Sequence, residues 1–162
     1  KGNYDDPVLL CLTASHRTHD FDVLERLSTT SGTVLAQKLL ASDGVAGEIV
    51  LSTCNRFEIY LDADSAALPV VHGLRGDLVL LQGEEAARHL FGVATGLESV
   101  VIGEPEIAGQ VRRALNHAES TGSATVANSL DRIDIVFLPR PGRSLACLCF
   151  PPDSRFGNRR QA

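Results

Sequence analysis

Five neighbouring residues carry the most concentrated chemistry in this chain: Ser52, Thr53, Cys54, Asn55 and Arg56. They bring one thiol, one guanidinium and three small hydrogen-bonding side chains together. A thiol beside a fixed cation has its thiolate favoured, and the thiolate is the nucleophile. The plain alternative is a cysteine used as a small apolar filler. The flanking residues bear on the choice. Ile49-Val50-Leu51 is an apolar run leading in, and Phe57-Glu58-Ile59-Tyr60-Leu61 alternates leading out. Two strands with a polar knot between them hold a side chain rigidly at a sheet end.

The other cysteines make a metal or disulfide reading poor. Cys11, Cys147 and Cys149 join Cys54, none of them spaced as CxxC, and the Cys147/Cys149 pair has no second ligand pair. No metal site and no disulfide framework is expected.

Stepping outward, Pro7 to Thr13 reads as a first strand and Ser15-His16-Arg17-Thr18 as a polar turn. Asp20 is placed to cap a short helix presenting Val23, Leu24 and Leu27. A second helical stretch starts at Ser31 and stops before Asp43-Gly44. Gly47–Thr53 and Phe57–Asp62 are the strands around the cysteine. Ala63–Gly76, with Pro69 and Gly73, reads as loop. Asp77–Gln82 is a further strand. Glu84–Ala94 is a helix with Ala87, Leu90, Phe91 and Ala94 at core spacing and two acids at its positive end. Pro105 suits the first turn of a last helix, which presents Ile107, Val111, Leu115 and Ala118. The alternation predicts a small α/β or α+β sandwich.

Composition sets limits. The chain has 162 residues, suited to one domain and a tail, and 44% hydrophobic residues suffice for a core. No apolar run approaches the roughly 20 residues of a membrane helix. The start lacks a basic stretch and a cleavage site, so a soluble, cytoplasmic protein is expected. The formal net charge is −5, and it is uneven: residues 139–162 carry +4 and the remainder −9. Composition alone gives no flag for nucleic acid, although a local patch can suffice.

Three blocks of sequence carry a resemblance. Ser52-Thr53-Cys54-Asn55-Arg56 followed by Phe57-Glu58-Ile59-Tyr60 resembles the catalytic-cysteine motif of glutamyl-tRNA reductase. His89-Leu90-Phe91 with the run from Ala94 to Val111 resembles that family's other strong block, and Ser15-His16-Arg17-Thr18 its start. The resemblance spans Val8 to about Ala118. It implies a ferredoxin-like βαβ catalytic domain of class α+β over residues 1–122, followed by an irregular tail over residues 123–162.

The resemblance also implies a reaction. A cysteine thiolate attacks the ester joining glutamate to its tRNA(Glu). A glutamyl thioester forms, and hydride from NADPH reduces it to glutamate-1-semialdehyde, at the start of five-carbon tetrapyrrole (porphyrin, haem) synthesis. By that match Cys54 is the nucleophile. His89 polarises the carbonyl or assists the leaving hydroxyl; read on its own, it is a half-buried helix histidine. Arg56 clamps the substrate carboxylate, and the competing reading is a solvated strand-end charge pairing with Glu58. Thr53 and Asn55 bind substrate polar groups or stabilise the turn. Ser99, Glu104, Pro105, Glu106 and Gln110 align with substrate-contacting positions. Glu106 stands where many relatives have glutamine; an acid there repels a glutamate side chain or holds its α-ammonium.

The family enzyme continues into a nicotinamide-binding domain and a helical dimerisation domain, for which 162 residues leave no room, and no GxGxxG occurs. The expectation is a truncated form limited to thioester formation or hydrolysis, with glutamyl-tRNA(Glu) as partner. The implied further partner is glutamate-1-semialdehyde aminotransferase, and the family homodimer would be missing its dimerisation domain. The alternative is a non-catalytic remnant that binds tRNA or a protein, supported by the loop-like residues between Asp62 and Leu78, where the family normally has a helix and one is expected to be lacking here. The tail reads as frame-shifted or as a lineage-specific extension, with one strand over Asp131–Leu138.

Overall fold

The computed structural model describes residues 8–99, 106–121, 134–137 and 146–149. Four strands, β1 (Val8–Ser15), β2 (Val45–Ser52), β3 (Arg56–Ala63) and β4 (Val79–Gln82), form one sheet in the order β2-β3-β1-β4. Every neighbouring pair is antiparallel. Helices α1 (Phe21–Arg26) and α2 (Gly32–Leu40) join β1 to β2, and α3 (Leu68–Leu74) joins β3 to β4. This is the βαββαβ path of a ferredoxin-like domain, with β1 and β3 central. Two more helices, α4 (Glu84–Ala94) and α5 (Glu106–Thr121), follow.

Alternation along the central strands explains why both are buried along almost their whole length. Leu10, Leu12 and Ala14 of β1 join Phe57, Ile59, Leu61 and Ala63 of β3 in a core with Leu24, Leu39 and Val71 from α1, α2 and α3. Leu9 and Cys11 of β1 join Tyr60, Ile49 and Leu51 in a second core with Leu90, Phe91, Ile107 and Val111 from α4 and α5. Successive side chains point to opposite faces, and helices cover both faces, so neither face of the sheet is left to water.

The helix expected to be lacking is present. Asp64 accepts a hydrogen bond from the Ala66 N–H (2.8 Å), starting a 3₁₀ turn over Ser65–Ala67 that runs straight into α3. Pro69 occupies the first turn of α3, where its missing N–H costs nothing. Pro69 and Gly73 are therefore a helix start and a near-terminal residue, not loop punctuation. Asp20 does hold the N-cap position of α1, but its side chain makes no cap bond. The first two helices are also continuous through a π-turn at Leu27–Ser31. A Cβ at Gly32 would run into the Leu27 carbonyl oxygen and the Phe57 ring, so only glycine lets the widened turn sit on the sheet.

The helix predicted after Ala94 begins its described portion at Glu106 and buries Ile107 and Val111; Pro105 and the side chains of Leu115 and Ala118 lie outside the described residues. In the tail, Asp134–Phe137 pairs antiparallel with Ala146–Cys149, so the expected strand acquires a partner that patterning did not predict. Among the described residues no helix is long and apolar enough to cross a membrane.

Candidate active site

The hairpin between β2 and β3 is three residues long: Thr53, Cys54 and Asn55. The Thr53 N–H donates to the Arg56 carbonyl (2.9 Å), and the Asn55 N–H to the Thr53 hydroxyl (3.2 Å). From the turn leaving β1, the His16 N–H donates to the Asn55 carbonyl (2.9 Å). Three bonds thus fix the backbone on either side of Cys54, whose side chain is exposed. Cys11 is the contrast. It is fully buried in β1, and burial, with the Glu58 charge behind it, pushes its thiol well above the ordinary value. Of these two thiols, only Cys54 is both accessible and held in place.

Behind the hairpin lies a buried polar cluster. Arg56, Glu58 and Tyr60 alternate along β3 and so share one face of the sheet. The Glu58 side chain is fully buried and accepts from four directions. Arg56 Nη1 (2.9 Å) and the Thr13 hydroxyl (3.1 Å) donate to Oε1, and the Tyr60 hydroxyl (2.5 Å) to Oε2. His89 Nε2, on α4, stands 2.7 Å from Oε1. Burial alone would raise the Glu58 carboxyl. The hydrogen bond and charge of His89, the charge of Arg56 and the Tyr60 hydroxyl outweigh it, so the group is held below the ordinary value. The Tyr60 hydroxyl is pushed well up, first by burial and then by Cys11 and Glu58.

Arg56 pairs with Glu58, as one of its two sequence readings had it, but the pair is buried and not solvated: the two side chains are 3% and 0% exposed. Its Nη2 donates to the Glu98 carbonyl (2.5 Å), while the Glu98 carboxylate pairs with Arg17 (3.0 Å). The turn that follows α4 is thereby tied to β3 and to the turn leaving β1. Ser99, buried, closes that turn with its N–H on the Gly96 carbonyl (3.2 Å).

The structure therefore gathers Thr53, Cys54 and Asn55 in one hairpin, and links Arg56 to His89 through Glu58. Ser99 is joined to the cluster through its neighbour Glu98. Glu106 is exposed and Gln110 half-buried on α5, a helix that packs along β2. Glu104 and Pro105 lie outside the described residues. Glu58, Tyr60, Thr13 and Glu98 were missed as site residues. The usable signal was Arg-x-Glu-x-Tyr at period two: three polar groups on one side of a strand whose other side is wholly apolar.

Among the described residues no group of three or more His, Cys, Asp and Glu is arranged to hold a metal ion. A dinucleotide fits the described residues poorly. The glycine that opens a helix directly after a strand is Gly83, and Glu84 and Glu85 fill the first turn of that helix, where they would repel a pyrophosphate.

An exposed thiol on a braced hairpin, backed by a buried Arg-Glu-His cluster, is equipped for nucleophilic acyl transfer. Comparison with known proteins narrows this. Residues 12–133 match the family model described as glutamyl-tRNAGlu reductase, N-terminal domain. The chain is similar to the glutamyl-tRNA reductase of Clavibacter michiganensis subsp. michiganensis, with 43% identity over 145 residues, covering 78% of this chain and 33% of that protein. It is similar also to that of Tropheryma whipplei strain Twist, with 40% identity over 146 residues, covering 78% and 32%. The solved structure of glutamyl-tRNA reductase from Methanopyrus kandleri superposes with a TM-score of 0.65 and 32% identity, over 75% of this chain and 31% of that one. The chain belongs to the glutamyl-tRNA reductase N-terminal domain family, and it spans about a third of the length of the curated relatives it matches. The match runs past residue 122, into the segment that the sequence assigned to the tail.

Proposed function

We propose that this chain performs the acyl-transfer half of glutamyl-tRNA reduction. The Cys54 thiolate attacks the carbonyl carbon of the ester joining glutamate to the 3′ end of tRNA(Glu). The S–C bond forms, the C–O bond to the ribose breaks, and the ribose oxygen takes up a proton. His89, anchored through Nε2 to Glu58, supplies that proton through its other ring nitrogen. Thr53 and Asn55 hold the carbonyl end of the substrate. Arg56 attracts its carboxylate with the N–H groups that Glu58 and Glu98 leave unused. Ser99, Glu104, Pro105, Glu106 and Gln110 complete the glutamate pocket, as the resemblance implies.

The observation that carries this reading is the exposed Cys54 on a hairpin braced by β3 and by the turn leaving β1. In the family reaction NADPH then reduces the thioester to glutamate-1-semialdehyde. The described residues do not suit that cofactor, so no hydride step is assigned to them. Acting alone, the chain passes the acyl group to water, releasing glutamate and free tRNA. A cytoplasmic location belongs to the same reading, whereas the homodimer and delivery of the semialdehyde to its aminotransferase belong to the whole family enzyme. The remnant reading loses its support, because α3 occupies the place of the helix read as lacking.

The test is trapping. The chain is incubated with radiolabelled glutamyl-tRNA and quenched in acid. Label bound to the polypeptide through a hydroxylamine-sensitive bond is expected, and it disappears in Cys54→Ser. No label, together with deacylation no faster than in Cys54→Ser, overturns the proposal.

A further inference from the structure

The two most exposed large apolar side chains among the described residues are Phe21 (66%) and Leu97 (60%). Both belong to segments at the Cys54 end of the sheet. Ser15 pairs with Arg56, and the next residue, His16, binds the Asn55 carbonyl, so the turn leaving β1 starts against the Cys54 hairpin. Phe21 follows five residues later, at most about 18 Å away even along an extended chain. Leu97 precedes Glu98, whose carboxylate pairs with Arg17 of the same β1 turn. Arg17 itself is half exposed. An exposed aromatic ring and a half-exposed guanidinium thus sit on the segment that leaves β1 at the Cys54 end of the sheet. His19 Nε2 lies 3.2 Å from the Asp77 carbonyl, and Leu24, one turn beyond Phe21, is buried in the core.

We propose that Phe21 and Arg17 form a stacking rim for the unpaired 3′ nucleotides of the tRNA whose ester reaches Cys54; this rests on the acyl-transfer reading above. Leu97 extends the apolar surface. The charge of the chain favours this occupant over an RNA duplex. The net charge of −5 gives no flag for binding led by phosphate neutralisation. Unpaired bases bind instead through their faces, on aromatic rings and guanidinium planes. The rim therefore recognises a single-stranded end rather than the body of the RNA.

The experiment uses the full chain and an uncharged RNA minihelix ending in unpaired CCA, labelled at its 5′ end and read by fluorescence anisotropy. Phe21→Ala is expected to raise Kd about tenfold, the size of one base–aromatic stack. Phe21→Tyr restores the wild-type value, and removing the CCA from the RNA abolishes the difference between Phe21→Ala and wild type. A Kd unmoved by Phe21→Ala overturns the rim, as does a wild-type chain that does not bind, a Phe21→Tyr variant as weak as Phe21→Ala, or an equal loss on RNA without CCA. Acylation of wild-type Cys54 by a small glutamate α-thioester is measured beside it. If that acylation is absent while CCA-dependent binding is present, the acyl-transfer reading fails and the rim stands.

Discussion

Glu58→Gln is the sharpest perturbation that the structure offers. The substitution keeps shape and volume and removes one negative charge from a site with no exposure. Arg56, 3% exposed, then keeps a buried positive charge with only the Glu98 carbonyl and a neutral amide against it. Breaking a buried pair on one side costs about 3 kcal/mol, because the remaining charge cannot reach water. With a urea slope of about 2 kcal/mol/M for a domain of this size, the unfolding midpoint falls by about 1.5 M. The double variant Arg56→Met/Glu58→Gln leaves no bare guanidinium and recovers at least half of that loss. The pH dependence has a definite sign. Glu58 is held below its unfolded value of 4.5, so the stability it contributes is complete above 4.5 and drains as pH falls through the folded value. Glu58→Gln has no such acid limb. Urea titrations at pH 7 and at pH 3.5 measure both effects. If the single variant unfolds at the wild-type midpoint, or the double variant is worse than the single one, the cluster is not held by this charge pair and the reasoning fails.

Glu48 is predicted to act in the opposite direction. Half-buried on β2 with Oε2 unpartnered, its carboxyl is raised by burial from 4.5 to about 7. The folded chain therefore binds more protons between those values, so stability falls as pH rises from 4.5 to 7 and then levels. Discounted for partial exposure, Glu48→Gln gains about 1 kcal/mol at pH 8 and almost nothing at pH 4, read from urea midpoints. Iodoacetamide with peptide mapping should modify Cys54 in the folded chain and Cys11 only after denaturant is added; early labelling of Cys11 would contradict its burial. Gly32→Ala should lower stability by about 2 kcal/mol or more in thermal melts, since the added methyl meets the Leu27 carbonyl oxygen and the Phe57 ring.

What the sequence disclosed and what it hid divide along a physical line. β1, β2, β3 and α4 were legible because each carries its period openly, and the polar knot at Cys54 stands out between two apolar runs. α3 was hidden because Pro69 and Gly73 are breakers in a helix interior but not near helix ends, and only the cap at Asp64 tells the two cases apart. The buried cluster was hidden for a different reason. Phe57-Glu58-Ile59-Tyr60 alternates as a strand with one wet face would, and alternation reports which residues share a face, not whether that face meets water. Here it does not, because α4 lies over it and brings His89 to Glu58. The same covering turns Arg56 from a surface charge into a buried ion pair, which changes its chemistry. A guanidinium already committed to Glu58 and to the Glu98 carbonyl is a rigid donor. In the proposed acyl transfer its spare N–H groups would orient the substrate carboxylate without having to swing to meet it. The motif beside Cys54 thus specifies the residue types of the site, and the packing of α4 against β3 specifies how stiffly they are held.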